Sequence, residues 1–430
     1  MAITWRAVAL TAVGVLPVLL VPVPGTVLAW AVLCLLLCVA DAALAASPRA
    51  VAVQRTPPGS VRLHEPARSR LTVTHTGARR LRALVRDAWQ PSAHAQQNRH
   101  RVDLPAGESR RLDTPLRATR RGDLHADRVT IRTVGPLGLA GRQASLTVPG
   151  TLRVLPEFRS RRHLPSRLAR LREMDGRAAV QIRGAGTEFD SLREYVIGDD
   201  VRSIDWRASA RRADVVVRTW RPERDRRVLI VLDTSRTSAA RTGEEPRLEA
   251  SVEAALLLSA LASRAGDRVE LLAYDRTVRA RVAGQSGPRL MPALADALSG
   301  VEPSLVEADW PGIVAQVQER LSQRALVVLL SALDPAAVEQ GLLGVVDQLA
   351  SRHQVVLASV RDPEIERLRT GREDTAALFD AAAAERAELE RAAVAQRLRG
   401  RGVEVVDALP EDLAPRLADT YLALKAAGRL

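Results

Sequence analysis

Apolar positions follow three different rhythms along the chain. Ala7 to Val23 and Thr26 to Ala40 are almost unbroken apolar runs on either side of Pro24-Gly25. Each is short against the ~20 residues that span a bilayer, and the second extends through Ala46 if Asp41 sits at the interface. Pro22, Pro24 and Gly25 favour a turn between them. The pattern predicts a transmembrane helical hairpin over 1–46, with both ends on one side. Ala43-Leu44-Ala45 resembles the cleavage site of a signal sequence. A signal's apolar core is only ~7–15 residues, however, shorter than this stretch. Arg6 precedes the hairpin, and Arg49 and Arg55 follow it. Basic flanks place both ends, and the soluble part, on the cytoplasmic face of the inner membrane.

From 47 to 155 the period is two. Alternating runs occur at Ser60–Leu63, Arg70–Thr74, Leu81–Asp87, Arg110–Leu116, Asp127–Thr133, Gln143–Val148 and Arg153–Leu155. Turn residues such as Pro57-Pro58-Gly59 and Pro105-Ala106-Gly107 separate them. Short strands at this spacing predict a small antiparallel β-sandwich. A basic connector and a charged segment follow over 156–225.

From 226 to 430 strand and helix patterns alternate. Strands are expected at Arg227–Leu232, Val269–Tyr274, Ala325–Ser331, Val355–Val360 and Val403–Val406, with Thr277–Val282 as a hairpin partner. Helices are expected at Pro246–Ala265, Arg289–Leu298, Asp309–Ser322, Pro335–Arg352, Asp374–Arg399 and Glu411–Ala427. This order predicts a doubly wound α/β domain with a parallel sheet.

Composition changes this picture little. Hydrophobic residues make up 47% of the chain, enough for real cores. The net charge of +13 is carried almost wholly by arginine, Lys425 being the sole lysine. Aromatics are only 3%, so an arginine-and-alanine bias of the coding sequence explains the charge as well as any anionic partner does. The two cysteines, Cys34 and Cys38, share one helix face inside the apolar run, and no disulfide framework or zinc spacing exists. The histidines at 64, 75, 94, 100 and 125 are scattered, without ligand spacing.

Candidate chemistry concentrates between 183 and 238. The strand Arg227–Leu232 ends at Asp233, followed by Thr234, Ser235, Arg236, Thr237 and Ser238. A carboxylate and two hydroxyls at alternate positions would thus sit at the carboxyl end of a buried strand, where open α/β sheets bind ligands. Hard divalent cations take such oxygens, with water completing the shell. The same residues also suit an ordinary strand end and helix N-cap. Upstream, Asp190, Glu194, Asp199, Asp200 and Asp205 alternate with Arg193, Arg202, Arg207, Arg211 and Arg212, which predicts an internal ion-pair network or a recognition surface. Phe189, Leu192, Tyr195, Val196, Ile204 and Trp206 are expected to pack this segment onto the following sheet. The arginine run from Arg153 to Arg183 lacks interleaved aromatics, so stacking on single-stranded nucleic acid has little support and no nucleic-acid partner is expected.

The loop Asp233-x-Ser235-x-Thr237 resembles the metal-ion-dependent adhesion site of von Willebrand factor type A domains, with Thr in place of the second Ser. The stretch GTEFDSLREYVIGDDVRSIDWRASAR, from Gly186 to Arg211, resembles the signature of the bacterial domain-of-unknown-function 58 family, a resemblance that extends over roughly Arg183 to Leu430. Arg120-Arg121-Gly122 and Gly135-Pro136-Leu137-Gly138-Leu139 look like that family's Arg-Gly and Asp-Pro-Leu-Gly-Leu pattern, with Gly135 where Asp is usual. The resemblance implies a type A-like domain over 226–430. It also implies a membrane-anchored adaptor, not an enzyme, working with a MoxR-type AAA+ ATPase in assembling or remodelling a complex. Arg183, Asp190, Arg193, Glu194, Asp199, Asp200, Asp205, Trp206 and Arg207 fall in or just before that signature, as structural ion pairs and caps or else as partner-binding residues or auxiliary metal ligands. Type A sites add a middle-loop Thr and a strand-end Asp. Here no Thr occurs between Thr277 and Thr370, and the strand end reads Ser331-Ala332-Leu333-Asp334. Asp233, Ser235, Thr237 and Asp334 are the expected ligands of a weakly held Mg2+ or other divalent cation, although Asp334 would join only after a loop adjustment and could instead N-cap the helix that starts at Pro335. The alternatives are a metal-dependent hydrolase using Asp233, or membrane-surface or nucleic-acid binding through the arginine run. No small-molecule substrate is indicated.

Overall fold

The computed structural model describes residues 2–181, 188–212, 214–221 and 226–430. They form two compact units, Met1–Glu157 and Phe158–Leu430.

The first unit opens with a short strand β1 (Ala2–Ile3) and helices α1 (Trp5–Val13), α2 (Val15–Leu20) and α3 (Pro24–Leu44). Of these, α3 is long and apolar enough to cross a membrane. Pro24 starts it, at the helix position where a missing N–H is harmless. The hairpin closes tightly because Gly14 lies against the Trp30 ring, where a Cβ would collide.

Strands β2 (Val51–Thr56), β3 (Ser60–Arg62), β4 (Pro66–His75), β5 (Leu81–Trp89), β6 (Arg99–Leu104), β7 (Ser109–Arg117), β8 (Gly122–Thr133), β9 (Ala140–Gly141) and β10 (Gln143–Leu155) follow. They make a three-stranded sheet, β2-β4-β7, and a five-stranded sheet, β3-β10-β8-β5-β6. Val51, Leu71 and Leu112 of one share a core with Leu81, Val85 and Ile131 of the other. The sheets stack as the expected sandwich, but β2, β6 and β9 are added, the runs expected at Gln143–Val148 and Arg153–Leu155 are one strand, β10, and β3 pairs with it in parallel instead of antiparallel. Arg55, read from sequence as a membrane-flanking charge, is instead buried: its guanidinium grips Asp87 at 2.8 and 3.1 Å, and Asp87 also accepts from Ser69 and the Trp89 indole.

Asp41 was expected near a bilayer interface. It is fully buried at the end of α3, where its carboxylate accepts the backbone N–H groups of Leu137, Leu139 and Ala140 at 2.7, 2.7 and 2.9 Å. β1 pairs with β9 beside it, and the Thr4 hydroxyl donates to Gly138 O at 2.6 Å. Both ends of the hairpin are thereby fastened to the 135–141 loop.

The second unit begins with α4 (Leu164–Gln181), inside what sequence alone marks as a basic connector. Leu171 is buried in the main core, with Leu164 and Leu168 packed against it, a contribution of ~2 kcal/mol per well-buried leucine. Arg167 and Arg170 both bind Asp419, at 2.8 and 3.1 Å. The apolar face of α4, not its charge, decides where this segment goes. Next come β11 (Glu188–Glu194), α5 (Trp206–Arg212) and β12 (Val216–Arg221), with β11 and β12 forming a separate antiparallel hairpin.

The remaining chain runs β13 (Arg227–Asp233), α6 (Arg236–Ala239), β14 (Arg241–Thr242), β15 (Glu245–Pro246), α7 (Arg247–Arg264), β16 (Arg268–Tyr274), β17 (Val278–Val282), α8 (Leu290–Ser299) and α9 (Trp310–Arg320). Then follow β18 (Leu326–Leu330), α10 (Pro335–Ala337), α11 (Leu343–Ala350), β19 (Gln354–Val360), α12 (Pro363–Arg369), α13 (Thr375–Gly400), β20 (Glu404–Ala408) and α14 (Pro410–Ala426). The six-stranded sheet has the order β17-β16-β13-β18-β19-β20. It is parallel except for the edge strand β17. Alternate residues of each strand serve opposite cores. Val228, Ile230 and Leu232 face α7, α8 and α14, while Leu229 and Val231 face α9, α11 and α13. Burial on both faces is why β13 and β18 read as continuous apolar runs. The single helix expected over Pro335–Arg352 is interrupted by a π turn at Val338–Leu342, and α12 was not foreseen.

Candidate functional site

Parallel strands deliver their carboxyl ends to one rim, and two of them end in carboxylates there. β13 ends at Asp233; β16 runs into Asp275. The strands are adjacent and in register, Asp233 opposite Tyr274.

Asp233 is 2% exposed. Its Oδ2 accepts from the Ser331 hydroxyl at 2.5 Å and the Thr237 hydroxyl at 3.3 Å, and its Oδ1 from the Ser235 N–H at 2.8 Å. The Ser235 and Thr237 hydroxyls lie 3.3 Å apart. Burial pushes the Asp233 carboxyl upward, and the hydrogen bonds from Ser331 and Ser235 oppose it without cancelling it.

Asp275 is fully buried too, yet it behaves oppositely. Its Oδ2 accepts from Ser304 at 2.7 Å, Arg279 at 2.6 Å and the Thr234 hydroxyl at 3.4 Å. Its Oδ1 accepts the N–H groups of Arg276 and Thr277 at 2.5 and 3.0 Å. Burial alone would raise this carboxyl, but bonds from Ser304, the Arg276 N–H and the Arg279 guanidinium outweigh it and hold Asp275 well below the ordinary carboxylate range.

Thr234 joins the two clusters. Its N–H donates to Tyr274 O at 3.0 Å, and its carbonyl accepts the Ser304 N–H at 2.8 Å. The 301–309 loop is thus pinned along its length, because the Asp309 N–H also donates to Asp275 O at 3.0 Å and the Arg236 N–H to Val306 O at 2.8 Å. Asp309 itself caps α9 through Gly312 N. Leu305, at the outer turn of this loop, is 81% exposed. Exposed Arg236, Arg276 and Arg279 lie on the segments bonded to this loop: the Arg236 N–H donates to Val306 O, Arg279 shares Asp275 with Ser304, and Glu307 binds Arg236 at 2.9 Å.

Of the four expected metal ligands, Asp233, Ser235 and Thr237 are together. Asp334 is not with them: exposed, it accepts the Ala337 N–H at 2.9 Å and caps α10. Ser331, Ala332 and Leu333 separate Asp334 from the end of β18, enough to carry it past the rim. Ser331, directly at that strand end, takes the place beside Asp233. Oxygens that could hold a cation are therefore those of Asp233, Ser235, Thr237 and Ser331. One carboxylate brings one negative charge, so the set fits only a weakly held, water-rich ion. Among the described residues no three His, Cys, Asp or Glu side chains group as metal ligands. Sequence reasoning missed Asp275, Ser304 and Ser331. The first was within reach, since it follows a buried strand just as Asp233 does.

The signature residues form a different surface. Arg193 binds Asp199 through two bonds of 2.6 and 2.7 Å, and Asp199 also accepts the Val196 N–H. Asp205 caps α5 through Ala208 N and binds Arg218 at 2.8 Å; the cap first and the arginine second hold its carboxyl low. Asp200 accepts the Arg202 N–H. Glu194 and Arg207 are exposed, Asp190 lies on β11, and Arg183 falls outside the described residues. The expected packing anchors Trp206 and Val196 are 68% and 61% exposed. Trp206 opens α5 and Val196 lies in the loop after β11, while Val216 and Val217 of β12 are buried.

Residues 191–403 match the family model described as protein of unknown function DUF58. An uncharacterized protein of Mycobacterium tuberculosis, Rv1480, is 26% identical over 185 residues, which is 42% of this chain and 57% of that one. Uncharacterized protein YeaD of Bacillus subtilis is 25% identical over 158 residues, 37% of this chain and 38% of that one. The chain thus spans a little over half the length of the first of these curated relatives. Among solved structures, the CARDB domain of PF1109 from Pyrococcus furiosus aligns with 24% of this chain and 94% of its own, at 16% identity and a TM-score of 0.19. A FixG-related protein from Vibrio parahaemolyticus aligns with 24% of this chain and 94% of its own, at 12% identity and a TM-score of 0.16. Overlaps this slight assign neither fold nor activity. The stretch that carries both the signature hairpin and the Asp233–Asp275 rim, residues 191–403, belongs to the DUF58 family.

Proposed function

We propose that the protein is a membrane-anchored adaptor that docks a partner protein at the carboxyl rim of its α/β unit. One observation carries this reading: Leu305 stands 81% exposed on a loop whose backbone is tied down on both sides of it. An apolar side chain held rigid before contact loses little entropy on binding, which is how small contact areas gain affinity. Exposed Arg236, Arg276 and Arg279 on the segments bonded to that loop suit a partner surface with acidic groups.

In this reading the two buried carboxylates do not touch the partner. Asp233 and Asp275 hold three loops in one arrangement, and the loops make the contact. A divalent cation at Asp233, Ser235, Thr237 and Ser331 would add Lewis acidity and a point of attachment for a partner carboxylate. The α3 span and its companions α1 and α2 keep the molecule at the cytoplasmic face of the inner membrane. Resemblance to the DUF58 family points to a MoxR-type AAA+ ATPase as the partner. Isolation from detergent-solubilised membranes tests this: the ATPase accompanies the wild-type chain and is lost from Leu305→Asp. Phosphoester turnover by the purified chain, abolished in Asp233→Ala, would replace docking with catalysis.

A further inference from the structure

The arginines at the base of the hairpin come from scattered places in the sequence. Arg79 donates to Ala43 O and Leu44 O at 3.1 and 3.3 Å, Arg142 to Ala42 O at 2.9 Å, and Arg132 to Ile3 O at 2.5 Å. Arg6 lies against Gly138. Four guanidinium groups thus ring the point where both ends of the hairpin leave the sandwich. Each has more N–H donors than these bonds use. Among the described residues none of the four is ion-paired, whereas neighbouring Arg80 and Arg82 share Asp103. Asp41, the acid within the ring, is sealed from solvent by its three backbone N–H partners. Trp5 and Leu137 stand 74% and 52% exposed at the same end.

We infer that this collar of Arg6, Arg79, Arg132 and Arg142 is a binding surface for anionic phospholipid headgroups, seating the sandwich against the bilayer. The inference rests on the reading that the hairpin enters a membrane. Its chemistry is that of an interface: an apolar hairpin, an indole where tryptophan prefers to sit, and unpaired guanidinium groups at phosphate level. Guanidinium forks take two phosphate oxygens at once, which favours headgroups carrying net negative charge over zwitterionic ones. The collar also replaces the flanking charge lost when Arg55 turned out to be buried against Asp87.

Full-length protein in non-ionic detergent, titrated with phosphatidylglycerol or phosphatidylcholine and read by native mass spectrometry, tests the collar. Wild type is expected to retain phosphatidylglycerol preferentially. Arg6→Gln with Arg132→Gln is expected to lower that retention about thirtyfold, at the usual worth of two basic residues near an anionic surface. Phosphatidylcholine binding and the thermal midpoint stay unchanged. Arg6→Lys with Arg132→Lys, which keeps the charges, retains phosphatidylglycerol within about threefold. Equal retention of both lipids by wild type, or unchanged retention by the Gln pair, overturns the collar. Flotation with pure phosphatidylcholine vesicles separates the two readings. Protein that floats but shows no headgroup preference sinks the collar alone, and protein that fails to float sinks the membrane anchor beneath it.

Discussion

Ser331 donates its hydroxyl hydrogen to the Asp233 carboxylate at 2.5 Å, joining the ends of two neighbouring parallel strands 98 residues apart. One strand over, Asp275 is held by Ser304, Thr234 and Arg279. The rim is therefore organised by two carboxylates with opposite electrostatic character, and the loops between them inherit their shape from that network.

The two carboxylates give opposite pH signatures. Asp233 is raised in the folded state, so its contribution is present below the ordinary Asp range, near ~4, and is lost as pH rises through the raised value. Asp275 is depressed, so its contribution is present above ~4 and is lost as pH falls toward the depressed value. Thermal midpoints across pH 3–8 should show Asp233→Asn flattening the decline above ~4 and Asp275→Asn flattening the acid limb. Parallel displacement of the whole curve in both variants would contradict this assignment.

Asp41 supplies a carboxylate where the backbone leaves room for none of its own. A Cβ on Gly135 would collide with both the backbone O and the side chain of Asp41. Asp41→Ala strips three N–H groups of their acceptor and should cost ~2–4 kcal/mol, seen as early melting of the first unit. Gly135→Asp alone should also destabilise it, by steric conflict. Because that Cβ also meets the Asp41 backbone O, which Asp41→Ala leaves in place, an aspartate at 135 should recover no stability in the Asp41→Ala background. A double variant more stable than Asp41→Ala alone would contradict this.

Asp87 tests the sandwich core. Its carboxylate is buried with Arg55, Ser69 and Trp89 around it. Asp87→Ala leaves a buried guanidinium uncompensated and should lower stability by ~3–5 kcal/mol in urea unfolding. Arg55→Met with Asp87→Leu should be far milder, because neither charge then remains.

Trp206 should be dispensable for folding. At 68% exposure, Trp206→Ser is expected to change stability by less than ~0.5 kcal/mol. A larger loss would restore the packing role that the sequence suggests.

The α/β unit was legible because its strands are buried on both faces and its helices carry caps such as Asp309 and Asp374. Asp233, Ser235 and Thr237 could be found because a short loop keeps them adjacent. Ser304 and Ser331 could not be told from other serines, since only strand order brings them to the rim. Asp334 could be read either as a ligand or as a cap from sequence, because a polar residue after a strand serves equally as both, and the structure makes it the cap. The signature hairpin misled for a different reason. Large apolar residues predict burial only when something covers them, and its strands pair with each other. The base of the hairpin was illegible because Arg79, Arg132 and Arg142 reach it only through the folded sandwich.

The most direct test of rim docking is the equilibrium affinity of the purified full-length chain for a MoxR-type AAA+ ATPase from the same organism. Biolayer interferometry of wild type and Leu305→Asp would measure it, with and without magnesium. Docking at the rim predicts measurable binding by wild type and at least tenfold weaker binding by Leu305→Asp at an unchanged melting temperature, since truncating a central apolar contact typically removes more than ~1.4 kcal/mol. Equal binding by the two proteins, or none by either, would contradict it.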